Sequence, residues 1–136
     1  MTDSKPVLLA VNGTLMRGLE LNPNLQRVGA AFVREAATAP EYRIWSIGDR
    51  HPAMMRFRQG GASVLLEVWS VPPAGLASVL LSEPPGLAIG KVVLDDGAEL
   101  LGVLGEAWLC EGQREITQHG GWRTYTASVA GSRNPR

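Results

Sequence analysis

A continuous apolar run, Pro6 to Val11, opens into the glycine-punctuated stretch Asn12-Gly13-Thr14-Leu15-Met16-Arg17-Gly18-Leu19-Glu20-Leu21-Asn22, and this junction restricts what the chain can fold into. A run without polar alternation suits a strand covered on both faces rather than a sheet edge. Such a strand needs a tight exit. Gly13 and Gly18 lack a Cβ and tolerate positive φ, so the backbone N–H groups around Gly13 to Leu15 can converge on one point and hold a carboxylate, with the Thr14 hydroxyl beside them. The same residues also suit a plain strand-to-helix connection with two permissive glycines. Asn22-Pro23 reads as an N-cap and first helical position, starting a short helix to about Val28 whose N-terminus faces the loop.

Partial alternation from Ala30 to Thr38 stops at Pro40, and Tyr42 to Ile47 alternates as a strand. Met54 to Arg58 and Ser63 to Val71 flank Gln59-Gly60-Gly61, the composition of a hairpin turn. After Pro72-Pro73, Leu76, Val79 and Leu80 fall at helical spacing within Ala74 to Leu81. Ile89 to Leu94 and Glu99 to Leu109 read as a second hairpin about Asp95-Asp96-Gly97. Glu115 to Tyr125 has mixed helical character broken at Gly120-Gly121, and Ser128 to Arg136 reads as a frayed end. The pattern predicts an α+β fold, a mostly antiparallel small β-barrel with short flanking helices.

The 136 residues suffice for one domain, 1–136, with a real core. Thirteen Lys and Arg balance thirteen Asp and Glu, which leaves no charge footprint for nucleic acid or an anionic membrane. A small, locally recognised ligand fits better. One cysteine, Cys110, excludes an internal disulfide, and with His51 and His119 far apart no metal motif of fixed spacing arises; no cofactor is expected. Met1-Thr2-Asp3-Ser4-Lys5 lacks the regions of a signal peptide, and no apolar run approaches the ~18 residues of a membrane span. The expected location is the cytoplasm.

The ordered motifs resemble the γ-glutamylcyclotransferase-like superfamily and, within it, the C-terminal domain of allophanate hydrolase. Asn12-Gly13-Thr14-Leu15 is similar to the superfamily's Tyr-Gly-Thr-Leu substrate loop, with Asn12 in place of tyrosine. His51-Pro52-Ala53-Met54, then Gly61, Val64 and Glu67-Val68-Trp69-Ser70-Val71, is similar to its Tyr-Pro-Ala segment and Gly-Glu-Val-Tyr strand. Closer to allophanate hydrolase are Leu21-Asn22 with Leu25, Thr38-Ala39-Pro40-Glu41-Tyr42-Arg43, Ile89-Gly90-Lys91-Val92, Asp96-Gly97, and Ile116-Thr117 with Gly120-Gly121-Trp122-Arg123. The likeness spans about residues 7 to 126 and implies a pocket at the Asn12 to Leu15 loop that takes a small carboxylated amide. The amidase domain that normally precedes this module is absent here, so a separately encoded amidase is an expected partner. Where the allophanate hydrolase domain usually reads Gly-Ala-His-Leu, this chain has Gly13-Thr14-Leu15-Met16, and leucine cannot shuttle a proton.

The resemblance also places Glu83, just beyond Leu80 and Leu81, like the cyclotransferase general base; its alternative is an exposed helix-end carboxylate. Glu106 sits among apolar residues in Gly105-Glu106-Ala107-Trp108, where a carboxylate is seldom buried without purpose, although strand alternation equally turns it outward. Arg123 can grip a carboxylate through parallel N–H bonds or remain a solvated neighbour of a tail-anchoring Trp122. His51 lines the pocket or belongs to a loop, and His119 suits a surface turn. Cys110 lacks an activating base. The candidate set is therefore Glu83 and Glu106 for proton transfer, and Asn12, Gly13, Thr14, Leu15, His51 and Arg123 for binding. Three functions follow: processing of a small carboxylated amide, carbamate or urea compound; release of 5-oxoproline by cyclotransfer; or a non-catalytic partner of an amidase.

Overall fold

The computed structural model describes residues 5–133. The leaderless start expected at Met1 to Ser4 and the last three residues of the expected frayed end lie outside the described residues. The elements run β1 (Val7–Val11), α1 (Asn22–Arg27), β2 (Ala31–Ala37), β3 (Tyr42–Ile47), β4 (His51–Arg56), β5 (Leu65–Val71), α2 (Pro73–Ser82), β6 (Leu87–Val93), β7 (Glu99–Gly105), α3 (Ala107–Cys110), β8 (Arg114–Glu115), a 3₁₀ turn (Thr117–His119) and α4 (Trp122–Arg133).

The strands form a five-stranded sheet, β2-β5-β1-β7-β6, and a three-stranded sheet, β4-β3-β8. The apolar run becomes the middle strand, β1, antiparallel to β5 on one side and parallel to β7 on the other. Leu9, Ala10 and Val11 are buried, while Leu8 is 43 % exposed. The α+β class and the antiparallel bias hold. The expected barrel does not close, because the edge strands β2 and β6 meet only near their ends, where Thr38 bridges Leu94 and the Ala39 amide donates to the Val93 carbonyl at 2.9 Å. Pro40 ends the contact, since it has no N–H to extend a ladder.

The hairpin expected around Gln59-Gly60-Gly61 does not form. β4 pairs with β3 in the small sheet, and β5 crosses to the large sheet between β1 and β2. The alternation of both strands was legible, but their partners are set by faces distant in sequence. Pro52 is tolerated because β4 is a sheet edge. The hairpin around Asp95-Asp96-Gly97 does form, between β6 and β7, with Gly97 at φ 89°. Its second arm ends at Gly105, and Ala107–Cys110 is a helical turn rather than strand. The expected fraying at Ser128 is replaced by α4, which continues to Arg133.

Asn22 is not an N-cap: Leu21 holds that place, and Asn22 is the buried first helical residue. Its Nδ2 donates to the Leu15 carbonyl at 2.8 Å, and its Oδ1 accepts from Gln26 Nε2. Gly18 takes φ 76° as expected, whereas Gly13 has no positive φ and is needed for space, since a Cβ there would lie 2.5 Å from Pro52 Cδ. At Gly105 a Cβ would come within 2.6 Å of the Ala53 Cβ, so β7 rests directly on β4 and joins the two sheets. The core runs through Leu9, Leu25, Tyr42, Ile44, Met54, Val64, Val68, Val92 and Ile116.

Candidate functional site

The ends of β1, β4, β7 and α2 converge where the sheets meet. Asn12, Gly13, Thr14, Leu15, His51, Pro52, Glu83, Leu87 and Val103 line a narrow cleft there, with room for about one water at about 10 Å³. Thr14 and His51 also line a broad groove of about 770 Å³ that includes Glu20, Arg50, Pro84, Pro85 and Trp108. The groove is open and the cleft is tight.

The loop is held from several sides. Met16 N donates to the Gly13 carbonyl, Leu21 N to that of Thr14, and Asn22 Nδ2 to that of Leu15. Among the described residues, the amides of Gly13, Thr14 and Leu15 donate to none of these loop acceptors, which leaves them available to an anion. Asn12 Nδ2 donates to the Val103 carbonyl at 3.0 Å and fixes the exit of β1 to β7. The Leu15 side chain is buried in the core.

Glu83 caps the C-terminal end of α2. The following Pro84 disfavours helical geometry at Glu83, which takes φ −77° and ψ 152° and turns its carboxyl toward the loop. Its Oε2 is buried and has no hydrogen-bond partner among the described residues. Burial pushes the carboxyl up to about 7 from its ordinary 4.5. Such a group exchanges protons near neutral pH. The exposed helix-end carboxylate is therefore not what forms.

His51 opens β4 and is buried at 8 % exposure, with Nδ1 3.0 Å from the Pro52 carbonyl oxygen. Glu106 does not reach the cleft; its Oε1 accepts from Trp108 Nε1 at 2.6 Å on the exposed surface. Gly105 ends the strand just before it, so the strand alternation that left its direction open never reaches it. Arg123 also lies elsewhere. It borders a hollow of about 100 Å³ beside Met16, Leu65 and Trp122, and the carboxylate it grips is the protein's own Glu67.

Glu67 was missed in the sequence. It is 2 % exposed. Its Oε1 accepts from Arg17 N at 2.9 Å and Trp69 Nε1 at 3.1 Å; its Oε2 accepts from Arg17 Nε and Arg123 Nη2, both at 3.1 Å. Burial raises its proton affinity, but the donors from Arg17, Trp69 and Arg123 outweigh it and hold the carboxyl below its ordinary range. Arg123 Nη2 also donates to the Arg17 carbonyl, so α4 and β5 together clamp the far side of the loop. The signal was available: Leu65-Leu66-Glu67-Val68-Trp69 places a carboxylate inside an apolar strand, the same argument that was spent on Glu106.

Among the described residues, no group of three or more His, Cys, Asp or Glu is placed to hold a metal. No described helix is long and apolar enough to cross a membrane.

Residues 7–127 match the profile of the Allophanate hydrolase C-terminal domain. A curated relative, urea amidolyase of Saccharomyces cerevisiae, is 30 % identical over 129 residues, covering 90 % of this chain and 7 % of its own length. The chain thus spans a small fraction of that relative. The crystal structure of a uropathogenic E. coli-specific protein superposes with a TM-score of 0.89 at 61 % identity, over 93 % of this chain and 98 % of that one. Kluyveromyces lactis allophanate hydrolase gives 0.86 at 29 % identity, over 91 % and 21 %. The fold alone extends to an aig2-like protein of Mus musculus, at 0.57 and 18 % identity over 76 % and 78 %. Over residues 7–127, from β1 into α4, this chain belongs to the allophanate hydrolase C-terminal domain family.

Proposed function

We propose that this protein processes a small amide, carbamate or urea compound that carries a carboxylate. The observation that carries the reading is Glu83: a carboxyl with a buried, unpartnered oxygen in the cleft formed by Asn12 to Leu15. The amides of Gly13 to Leu15 hold the substrate carboxylate, Thr14 adds its hydroxyl, and Glu83 moves a proton to or from the substrate nitrogen. A carboxyl that is half protonated near pH 7 can serve either way. Leu15 takes no part in proton transfer, so the work falls to other groups. Membership in a family named for allophanate hydrolase supports this substrate class. Glu106 and Arg123 are left out of this reading, because each is committed to a partner away from the cleft.

The test measures ammonia and carbon dioxide released from freshly generated N-carboxycarbamate. Wild type is expected to exceed the buffer rate and Glu83→Gln to fall back to it. No acceleration by wild type removes this reading. An unpartnered carboxyl is also what an intramolecular attack by an α-amine requires, so γ-glutamyl dipeptides form the second arm; 5-oxoproline formed by wild type and lost in Glu83→Gln would favour cyclotransfer. If both arms are silent, co-purification with an amidase tests a binding role, consistent with relatives that carry this domain within longer enzymes.

A further inference from the structure

Of the residues lining the cleft, only Glu83 and His51 carry ionisable side chains. We propose that His51 is the second proton-transfer group of this cleft, accepting a proton at Nε2 while Glu83 donates one. The inference rests on the reading of Glu83 above and adds the group that balances it.

The geometry sets the roles. A carbonyl oxygen only accepts, so the Nδ1 that lies 3.0 Å from the Pro52 carbonyl carries the hydrogen. In the neutral ring Nε2 is then the bare acceptor. Among the described residues no hydrogen bond engages Nε2. Glu83 is the complement, because with no donor on its buried oxygen the neutral acid is favoured. The cleft thus holds one acceptor and one donor around a space for about one water. His51 also lines the groove, which gives its ring a path to solvent for resetting. The other charged groups of that groove are Glu20, Asp49 and Arg50. Asp49 is engaged by the Ser46 hydroxyl at 2.6 Å and the Tyr125 hydroxyl at 2.7 Å.

For hydrolysis of an amide or carbamate, the step balances as follows. An O–H bond of water breaks and its proton goes to His51 Nε2. The oxygen bonds to the substrate carbon, the C–N bond breaks, and the leaving nitrogen takes the Glu83 proton. A neutral acid and imidazole become a carboxylate and an imidazolium, and one proton returned from His51 to Glu83 restores the pair.

Long-range ¹H–¹⁵N correlation spectra of the imidazole nitrogens test the proposal without a substrate, with His119→Gln used to assign the signals. The expected neutral ring of His51 is protonated at Nδ1 and bare at Nε2, in wild type and in Glu83→Gln alike. A neutral ring protonated at Nε2 overturns it. In the N-carboxycarbamate assay, His51→Gln is expected to lower the rate and remove the acidic limb of the pH profile; an unchanged profile also overturns it. If wild type shows no turnover, the proposed reaction fails and the spectra alone decide whether His51 offers a bare Nε2.

Discussion

Two carboxyl groups border the same loop, Glu67 buried and Glu83 half-buried with one oxygen out of solvent, and their surroundings are opposite. Glu67 accepts four hydrogen bonds from Arg17, Trp69 and Arg123 and is held in its charged form. Glu83 has a buried oxygen without a partner and is pushed toward its neutral form. The contrast separates an anchor from a group with bonding capacity to spare: a carboxylate whose bonds are all satisfied has nothing left to offer a ligand. The anchor also fixes the Arg17 amide and thereby the turn that lines the cleft with Glu83.

Removing the anchor should cost the most stability. Glu67→Ala leaves the buried Trp69 N–H and the Arg17 amide unpaired and opens a cavity, so it is expected to destabilise by about 3 kcal/mol in urea unfolding. Glu83→Gln should do the reverse, keeping or raising stability while lowering turnover by about 100-fold in the ammonia assay. If Glu67→Ala folds as well as wild type and Glu83→Gln unfolds, the assignment of the two roles is inverted. Gly13→Ala tests the turn between them. The added methyl meets the Pro52 ring at 2.5 Å, and the expected cost is about 1–2 kcal/mol, with ligand binding weakened alongside.

The pair should also tilt the pH dependence of stability in opposite directions. Glu83 binds its proton more tightly in the folded chain, so its contribution is complete below the ordinary 4.5 and drains away as pH rises to about 7. Glu67 binds its proton less tightly when folded, so its contribution is present above the ordinary value and is lost as pH falls below it. Thermal melts across pH 4 to 8 should therefore lose their decline toward neutrality in Glu83→Gln and keep the acid limb. The smallest effect is expected at Glu106, which is bonded to an exposed tryptophan; Glu106→Ala should shift unfolding by no more than about 0.5 kcal/mol and leave turnover unchanged.

Most strands and helices were legible because their evidence is local. Tyr42 to Ile47 alternates, Pro73 starts α2, and Asp95-Asp96-Gly97 turns β6 into β7. The partnership of β4 with β3 was not legible, since the hairpin composition of Gln59-Gly60-Gly61 suggested a neighbour that the larger sheet claimed instead. The site divided in the same way. Gly13 and Thr14 were marked by their loop and Glu83 by its place after a helix, but nothing local distinguished Glu83 from Glu106. Each is a single carboxylate at the edge of an apolar segment, and their fates are decided by Pro84 and the loop in one case and by Trp108 in the other.

Residue order alone was enough for the first strand, its glycine exit, the balanced net charge and the family pattern, because each depends on composition or on neighbours within a few positions, whereas the exposure of Leu8 was not legible. Which carboxylate is left unpaired depends on donors drawn from segments far apart, such as Arg17 and Arg123 meeting Glu67 across fifty residues or more. Hydrogen bonds and desolvation act through space, so only the folded chain decides where a proton can be exchanged.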